Sequence, residues 1–272
     1  MNTSLEKVAV VGLGAMGMGI AQSALNGGLA VTGCDVSEGA RDVFLKAGGA
    51  VAATPAEAAE NAAIFAIVVV NQTQTESVLF GDNGAADGLP KGAVVLGHAT
   101  VPPAYAIDVA TRLAAKGIHY LDAPISGGAA KAAQGKLSVM ASGTADAFTC
   151  ARPFLDTVSE TVFELGAEAG PGSTMKMVNQ LLAGVHIATA MEAMALAIRS
   201  GLDADTVYDV ITKSAGNSWM FENRVPNVLN NDYSPKSAVD IFVKDLGIVL
   251  ETGKREGFPL PIFGGSGHGS GS

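Results

Sequence analysis

Gly12, Gly14 and Gly17 fall in the stretch VVGLGAMGMGIAQ as G-x-G-x-x-G. This spacing suits a turn in which the first glycine bends tightly, the second lets the backbone approach a pyrophosphate, and the third lets a helix pack close to a sheet. A helix that opens at such a turn offers unpaired backbone N–H groups and a partial positive charge to phosphate oxygens. Asp35 closes the next strand-like run, where its carboxylate can accept hydrogen bonds from ribose hydroxyls and repel a 2′-phosphate. The residues after it, VSEGA, supply no early arginine. The stretch therefore predicts a dinucleotide site made by Gly12, Leu13, Gly14, Ala15, Met16, Gly17 and Asp35, with NAD preferred over NADP. The plain alternative is a glycine-rich connection between a strand and a helix.

Two further groups of residues have the types that chemistry needs. In GPGSTMKMVNQ, Lys176 and Asn179 are three positions apart and project from one helix face. A lysine beside a carboxamide can hold a substrate hydroxyl and act as general acid or base. Taken alone, such a lysine is as readily a solvated residue of a first helical turn. In DAPISGG, Ser126, Gly127 and Gly128 offer a hydroxyl and exposed backbone N–H groups to a carboxylate, or else form an ordinary Gly-Gly turn. GHATVPP, from Gly97 to Pro103, ends another strand-like run, and loops at strand C-termini form the ligand crevice of open α/β sheets.

The elements that must position these residues alternate. KVAVVGLG, LAVTGCDV, IFAIVVV, GAVVLGHA, HYLDAPI and LSVMASG read as short strands separated by alanine-rich helical stretches. The near-continuous apolar run Ile64–Val70 suits a parallel strand buried on both faces. Alternating strands and helices predict βαβ units in a parallel, doubly wound α/β sheet. Past Gly166 strand signals nearly vanish, and one long apolar helix pattern runs from Thr174 to about Arg199. The expected organisation is a nucleotide-binding sheet domain over 1–165, then an all-α substrate and dimerisation domain over 166–263 joined by a long interdomain helix. A Gly/Ser-rich tail over 264–272 has no means of building a core.

Composition removes several function classes. Of 272 residues, 48% are hydrophobic and 16% charged, which suits a well-buried globular chain rather than a disordered one. The net charge of -9 and the lack of a basic stripe argue against nucleic acid as a partner. Only Cys34 and Cys150 are present, too few for a disulfide framework or a metal site, so a reducing cytoplasm is expected and no metal. The N-terminus reaches a strand-like run with no signal-peptide pattern. The most apolar stretch, Leu181–Ile198, is interrupted by His186 and Glu192, so no membrane span is expected.

GLGAMG, DAPISGG, GPGSTMKMVNQ and VKDLG together, in order and over nearly the whole chain to about Pro261, resemble the β-hydroxyacid dehydrogenase family. The resemblance implies a Rossmann domain followed by a helical domain, NAD-dependent oxidation of a small hydroxy acid, and a homodimer or homotetramer. It implies a catalytic lysine at Lys176 with Asn179 as its asparagine, and a carboxylate site at Ser126, Gly127 and Gly128. It implies a threonine bordering the nicotinamide at Thr100, and a cofactor-side lysine at Lys244 with Asp245 beside it. Without the family, Lys244 reads as a surface charge. Many members carry a second asparagine where this chain has Gln180 and a serine where it has Ala99. Members usually continue through more helical sequence where FPLPI here meets the Gly/Ser tail.

Within the family, KMVNQLLAGVHIATAMEAMALA and AGNSWMFENRVPNVL are most similar to members that oxidise a four-carbon sugar acid at C2. Reduction of tartronate semialdehyde and oxidation of 3-hydroxyisobutyrate are the alternatives within the family. Imine reductases share the fold but usually lack the lysine. A dinucleotide-binding protein without catalysis would need the glycine turn but not the Lys176/Asn179 pair. Asn217, Ser218 and Trp219 are candidates for the substrate pocket, although Trp219 and Phe221 suit a helical core better. His186 reads as a packing or interface residue.

Overall fold

The computed structural model describes residues 7–232 and 239–261, and the chain divides into two compact units, Met1–Lys176 and Met177–Ser272. The tail expected over 264–272 lies outside the described residues.

The first unit alternates strands and helices as its sequence predicts: β1 (Lys7–Val11), α1 (Ala15–Asn26), β2 (Ala30–Cys34), α2 (Glu38–Lys46), β3 (Ala50–Ala52), α3 (Pro55–Ala59), β4 (Ile64–Ile67), α4 (Gln72–Phe80), β5 (Val94–Gly97), α5 (Pro103–Ala114) and β6 (His119–Asp122). These strands form one parallel sheet in the order β3-β2-β1-β4-β5-β6. That order reverses between β1 and β4, and open sheets bind dinucleotides at such a switch point. All of β4 and β5 is buried, because helices cover both faces of the sheet. One apolar cluster, with Val8, Val10, Ile20, Phe44 and Leu96, fills one side, and another, with Ala9, Phe65, Leu79, Val95 and Leu113, fills the other.

A smaller sheet follows. β7 (Ile125–Ser126) runs antiparallel to β8 (Leu137–Ala141), with α6 (Gly128–Ala133) between them. α7 (Ala145–Val158) then leads into β9 (Ser159–Glu164), parallel to β8. β3, three residues long, and the exposed β9 are too short or too polar to stand out as strands in sequence and are not among the strand-like stretches, while β7 begins at Ile125, the last residue of HYLDAPI, and does not separate from it in sequence.

α8 (Pro171–Arg199) begins in the first unit and continues into the second, which also holds α9 (Ala204–Thr212), α10 (Trp219–Leu229) and α11 (Val239–Arg255). Among the described residues no strand follows Glu164, as expected for an all-α second part. Ala190 and Met194 of α8 pack with Phe221 and Val225 of α10, and Tyr208 of α9 stacks on Phe221 at 6.0 Å. A Cβ at Gly184 would lie 2.8 Å from Leu246, so α8 and α11 approach closely at that glycine. α8 runs unbroken through His186 and Glu192, as the long helix pattern predicts, and although these two residues interrupt its apolar run, it is long and apolar enough by length and composition to cross a membrane. One such helix is weak evidence, because long apolar helices of globular proteins meet the same description.

Candidate active site

The glycine turn joins β1 to α1. Gly12 has φ +94°, and a Cβ there would lie 2.3 Å from the Val68 carbonyl oxygen. A Cβ at Gly17 would lie 1.7 Å from the Gly12 carbonyl oxygen, so only glycine lets α1 start this close to the turn. Gly14 is different: a Cβ there meets nothing within 4 Å. Its open side is the side from which a ligand can reach the backbone. Gly14 is also the N-cap of α1, with no side-chain cap and no acidic residue in the first turn. The first N–H groups of the helix, on Ala15, Met16 and Gly17, are thus presented to an anion. The residues fit a dinucleotide pyrophosphate.

Asp35 follows β2 and holds the turn in shape. Its Oδ2 accepts from Leu13 N at 2.6 Å and its Oδ1 from Ser37 N at 2.8 Å, leaving each oxygen a further lone pair for a ribose hydroxyl. Arg41 donates to the Asp35 backbone carbonyl at 2.5 Å. The sequence pointed to no early arginine, yet α2 brings this one back to Asp35 after one further turn.

The loop after β6 is the second element. Gly127 and Gly128 have φ +135° and +76°, a left-handed pair that frees the backbone at the start of α6. Ser126 and Gly127 are half-buried and Gly128 is exposed. Lys176 is 8% exposed and donates from Nζ to the Ile125 carbonyl at 2.8 Å. It is therefore not a solvated helix residue. Its Nζ is anchored one residue from Ser126. Thr100 sits half-buried in the loop after β5.

Residues that sequence reasoning passed over fix this arrangement. Asp122, at the end of β6, is fully buried. Its Oδ2 accepts from Gly170 N at 3.0 Å and Ser173 N at 2.8 Å, and its Oδ1 accepts from the Ser173 hydroxyl at 2.7 Å. Gly172 N donates to Ser142 Oγ at 3.0 Å. A strand-end carboxylate thus supplies the N-terminal cap of α8, whose local sequence, GPGS, shows no acidic residue in its first turn. Burial pushes the Asp122 carboxyl upward, against the downward pull of these hydrogen bonds. His98 follows β5 and is also buried. Its Nδ1 lies 2.6 Å from the Ala123 carbonyl, the carbonyl just after Asp122. Desolvation lowers its pKa to about 4, so the ring is neutral near pH 7 and donates from Nδ1.

In the second unit Asn179 is half-buried on α8 and donates from Nδ2 to Gln180 Oε1 at 2.9 Å. Gln180 Nε2 donates to Asp245 Oδ2 at 2.6 Å, and Lys244 Nζ lies 2.8 Å from Asp245 Oδ1. Lys244 is therefore paired rather than a lone surface charge. Asn217 and Ser218 serve local structure: Asn217 donates to Glu222 at 2.6 Å, and Ser218 caps α10 through Phe221 N. Phe221 is core as expected, whereas Trp219 is 52% exposed because it opens α10 on the side away from Phe221's cluster.

Comparisons with known proteins agree on what this arrangement belongs to. Residues 7–166 match a family model described as the NAD binding domain of 6-phosphogluconate dehydrogenase. Residues 170–265 match one described as the NAD-binding domain of NADP-dependent 3-hydroxyisobutyrate dehydrogenase. The chain is 54% identical over 257 residues to an L-threonate dehydrogenase of Cupriavidus necator, covering 94% of this chain and 86% of the relative. It is 50% identical over 264 residues to an L-threonate dehydrogenase of Escherichia coli K12, covering 96% and 87%. A crystal structure described as 3-hydroxyisobutyrate dehydrogenase from Salmonella typhimurium matches with a TM-score of 0.91 and 49% identity, covering 96% of this chain and 91% of that one.

Proposed function

The chain belongs to the β-hydroxyacid dehydrogenase family, NAD-dependent oxidoreductases of small hydroxy acids, and from that premise we propose that it oxidises L-threonate to its 2-oxo acid. The substrate carboxylate sits on Ser126, Gly127 and Gly128. Lys176 takes the proton of the reacting hydroxyl, and in the reverse direction returns it to the forming alkoxide. Asn179 holds the substrate from the next turn of the same helix. Bound NAD supplies the acceptor for the hydride that leaves the hydroxyl-bearing carbon. Gly12 to Gly17 would hold its pyrophosphate and Asp35 its adenosine ribose, with Thr100 and Lys244 as further cofactor-side residues.

The observation that supports this reading most is the Lys176 contact with the Ile125 carbonyl, which keeps a buried amine beside the Ser126–Gly128 turn. The identity to L-threonate dehydrogenases supports the choice of acid, and 3-hydroxyisobutyrate and tartronate semialdehyde are the alternatives. In this reading residues 1–165 act as the nucleotide-binding domain and residues 166–263 as the substrate and dimerisation domain. Leu196, Ile198 and Leu202, each more than half exposed, support assembly into a homodimer or homotetramer, and two free cysteines suit the reducing cytoplasm.

NADH absorbance on mixing the protein with NAD and a panel of three- and four-carbon hydroxy acids tests the activity. L-threonate should be the best substrate and its methyl ester a poor one. Equal turnover of acid and ester removes the carboxylate anchor, and no turnover of any acid leaves a dinucleotide-binding protein.

A further inference from the structure

The hydrogen bonds around Asn179 fix which end of its amide is left for a ligand. The chain of direction starts at Asp245, buried on α11 and 2.8 Å from the Lys244 ammonium. As a carboxylate it accepts and has no proton to give. Gln180, 8% exposed, must therefore turn its NH₂ toward it, and Nε2 lies 2.6 Å from Asp245 Oδ2. The carbonyl end of Gln180 then faces Asn179. Only an N–H can meet it, and Asn179 Nδ2 does so at 2.9 Å. Asn179 Oδ1 is the end that remains, with no hydrogen-bond partner among the described residues. No flip of either amide is available without setting two oxygens against each other, so an assignment that is usually ambiguous is decided here by one carboxylate.

We propose that Gln180 and Asp245 lock Asn179 as a hydrogen-bond acceptor toward the substrate, and that the substrate must carry a second hydroxyl to satisfy it. This rests on the reading of Asn179 as a substrate residue. The reacting hydroxyl has a single proton, and that proton goes to Lys176. The substrate carboxylate has none. Among the substrate's own groups, a donor for Asn179 Oδ1 can come only from another O–H, which a polyhydroxy acid has and a monohydroxy acid lacks. A site built to meet a hydroxyl discriminates against the analogue without it, because a polar group of the protein is then left unpaired. Gln180 is a positioning residue in this scheme: it touches Asn179, not the substrate.

The test compares kcat/KM for L-threonate with that for its 3-deoxy and 4-deoxy analogues. In the unmodified enzyme one of the two deoxy acids should fall by roughly 10- to 100-fold. Gln180→Met keeps the volume but removes both polar ends, and should shrink that ratio to within a few-fold while NADH binding stays unchanged. Gln180→Asn is a milder change, one methylene too short to span Asn179 and Asp245, and should also relax the ratio; it keeps the test readable if the methionine variant folds poorly by thermal melting. Deoxy acids turned over as well as L-threonate, or a penalty that survives in a folded Gln180 variant, would overturn the proposal. Asn179→Ala separates the two levels: if it leaves L-threonate turnover unchanged, Asn179 is not a substrate residue and the reading beneath the proposal fails as well. If Asn179→Ala lowers turnover but Gln180 variants leave the ratio intact, only the lock is wrong.

Discussion

In the unit that ends at Lys176, the main chain does most of the holding. Gly12 and Gly17 leave no room for a side chain, Asp35 and Asp122 accept from backbone N–H groups, and Lys176 donates to a backbone carbonyl. In the unit that begins at Met177, Asn179 is held by side chains alone, through Gln180 to Asp245 and Lys244. The packing differs in the same sense. The sheet unit buries two large apolar clusters, whereas the described part of the helical unit holds one small cluster around Ala190, Met194, Phe221 and Val225. A site fixed by backbone on a dense core tolerates little change in geometry. One fixed by a side-chain relay can be retuned by single substitutions, which suits the part of an enzyme that chooses the substrate.

The contrast predicts that the largest loss of turnover comes from the first unit. Lys176→Ala should lower kcat by about 10²- to 10⁴-fold, the usual contribution of a general acid or base, while NADH still binds. Lys176→Arg should not rescue it, because a guanidinium does not give up its proton near neutral pH. Turnover within a few-fold of normal in the alanine variant would remove Lys176 from the mechanism.

How much of this was legible in the sequence follows the same division. Glycines at Gly12, Gly14 and Gly17 are read directly, since their spacing encodes a backbone path and the path encodes a phosphate site. The long runs of β1, β4 and β5 are read by their apolar continuity. Asp122 stands within DAPISGG, yet its role is not legible there, because its partners Gly170 and Ser173 lie far along the chain and meet it only when the start of α8 is in place. A carboxylate at the end of a strand followed, much later, by a GPGS helix start with no acidic cap is the signal that could have found it. Gln180 and Asp245 are adjacent only across two helices. Side-chain pairs of that kind leave no periodicity to read, and the departure at Gln180 was visible without its meaning.

Asp122→Ala sharpens the comparison through stability rather than rate. It leaves Gly170 N and Ser173 N buried without an acceptor, and each such group costs about 1–3 kcal/mol. The expected destabilisation is about 4 kcal/mol by denaturant unfolding, with turnover falling as the start of α8 loosens. Normal stability would mean that α8 is held by its packing and not by this cap.

His98 gives a smaller and pH-dependent effect. Its folded pKa of about 4 lies below the unfolded value of 6.5, so the folded chain binds fewer protons between them. Stability from this group is fully present above about pH 6.5 and is lost as pH falls toward 4, by on the order of 3 kcal/mol in total. His98→Asn keeps a donor for the Ala123 carbonyl but does not titrate, so it should flatten the stability profile across that window. An unchanged acid slope would show that His98 is not the titrating group.

Asp35 gives the smallest effect and tests whether backbone-held groups also set cofactor choice. Asp35→Ala removes an acceptor for ribose hydroxyls and for Leu13 N and Ser37 N, so NAD affinity should fall by about 2 kcal/mol, roughly 30-fold. The same change removes the negative charge that repels a 2′-phosphate. Arg41 donates to the backbone carbonyl of residue 35, which alanine retains, so its guanidinium stays in place. NADP affinity should therefore rise in Asp35→Ala as NAD affinity falls, and Arg41→Ala added to it should cancel the rise, because a guanidinium is well suited to a phosphate. Fluorescence titration with NADH and NADPH reads both. If the two affinities fall together, Asp35 merely shapes the glycine turn. The discrimination between the cofactors would then have to come from residues other than this carboxylate and its arginine.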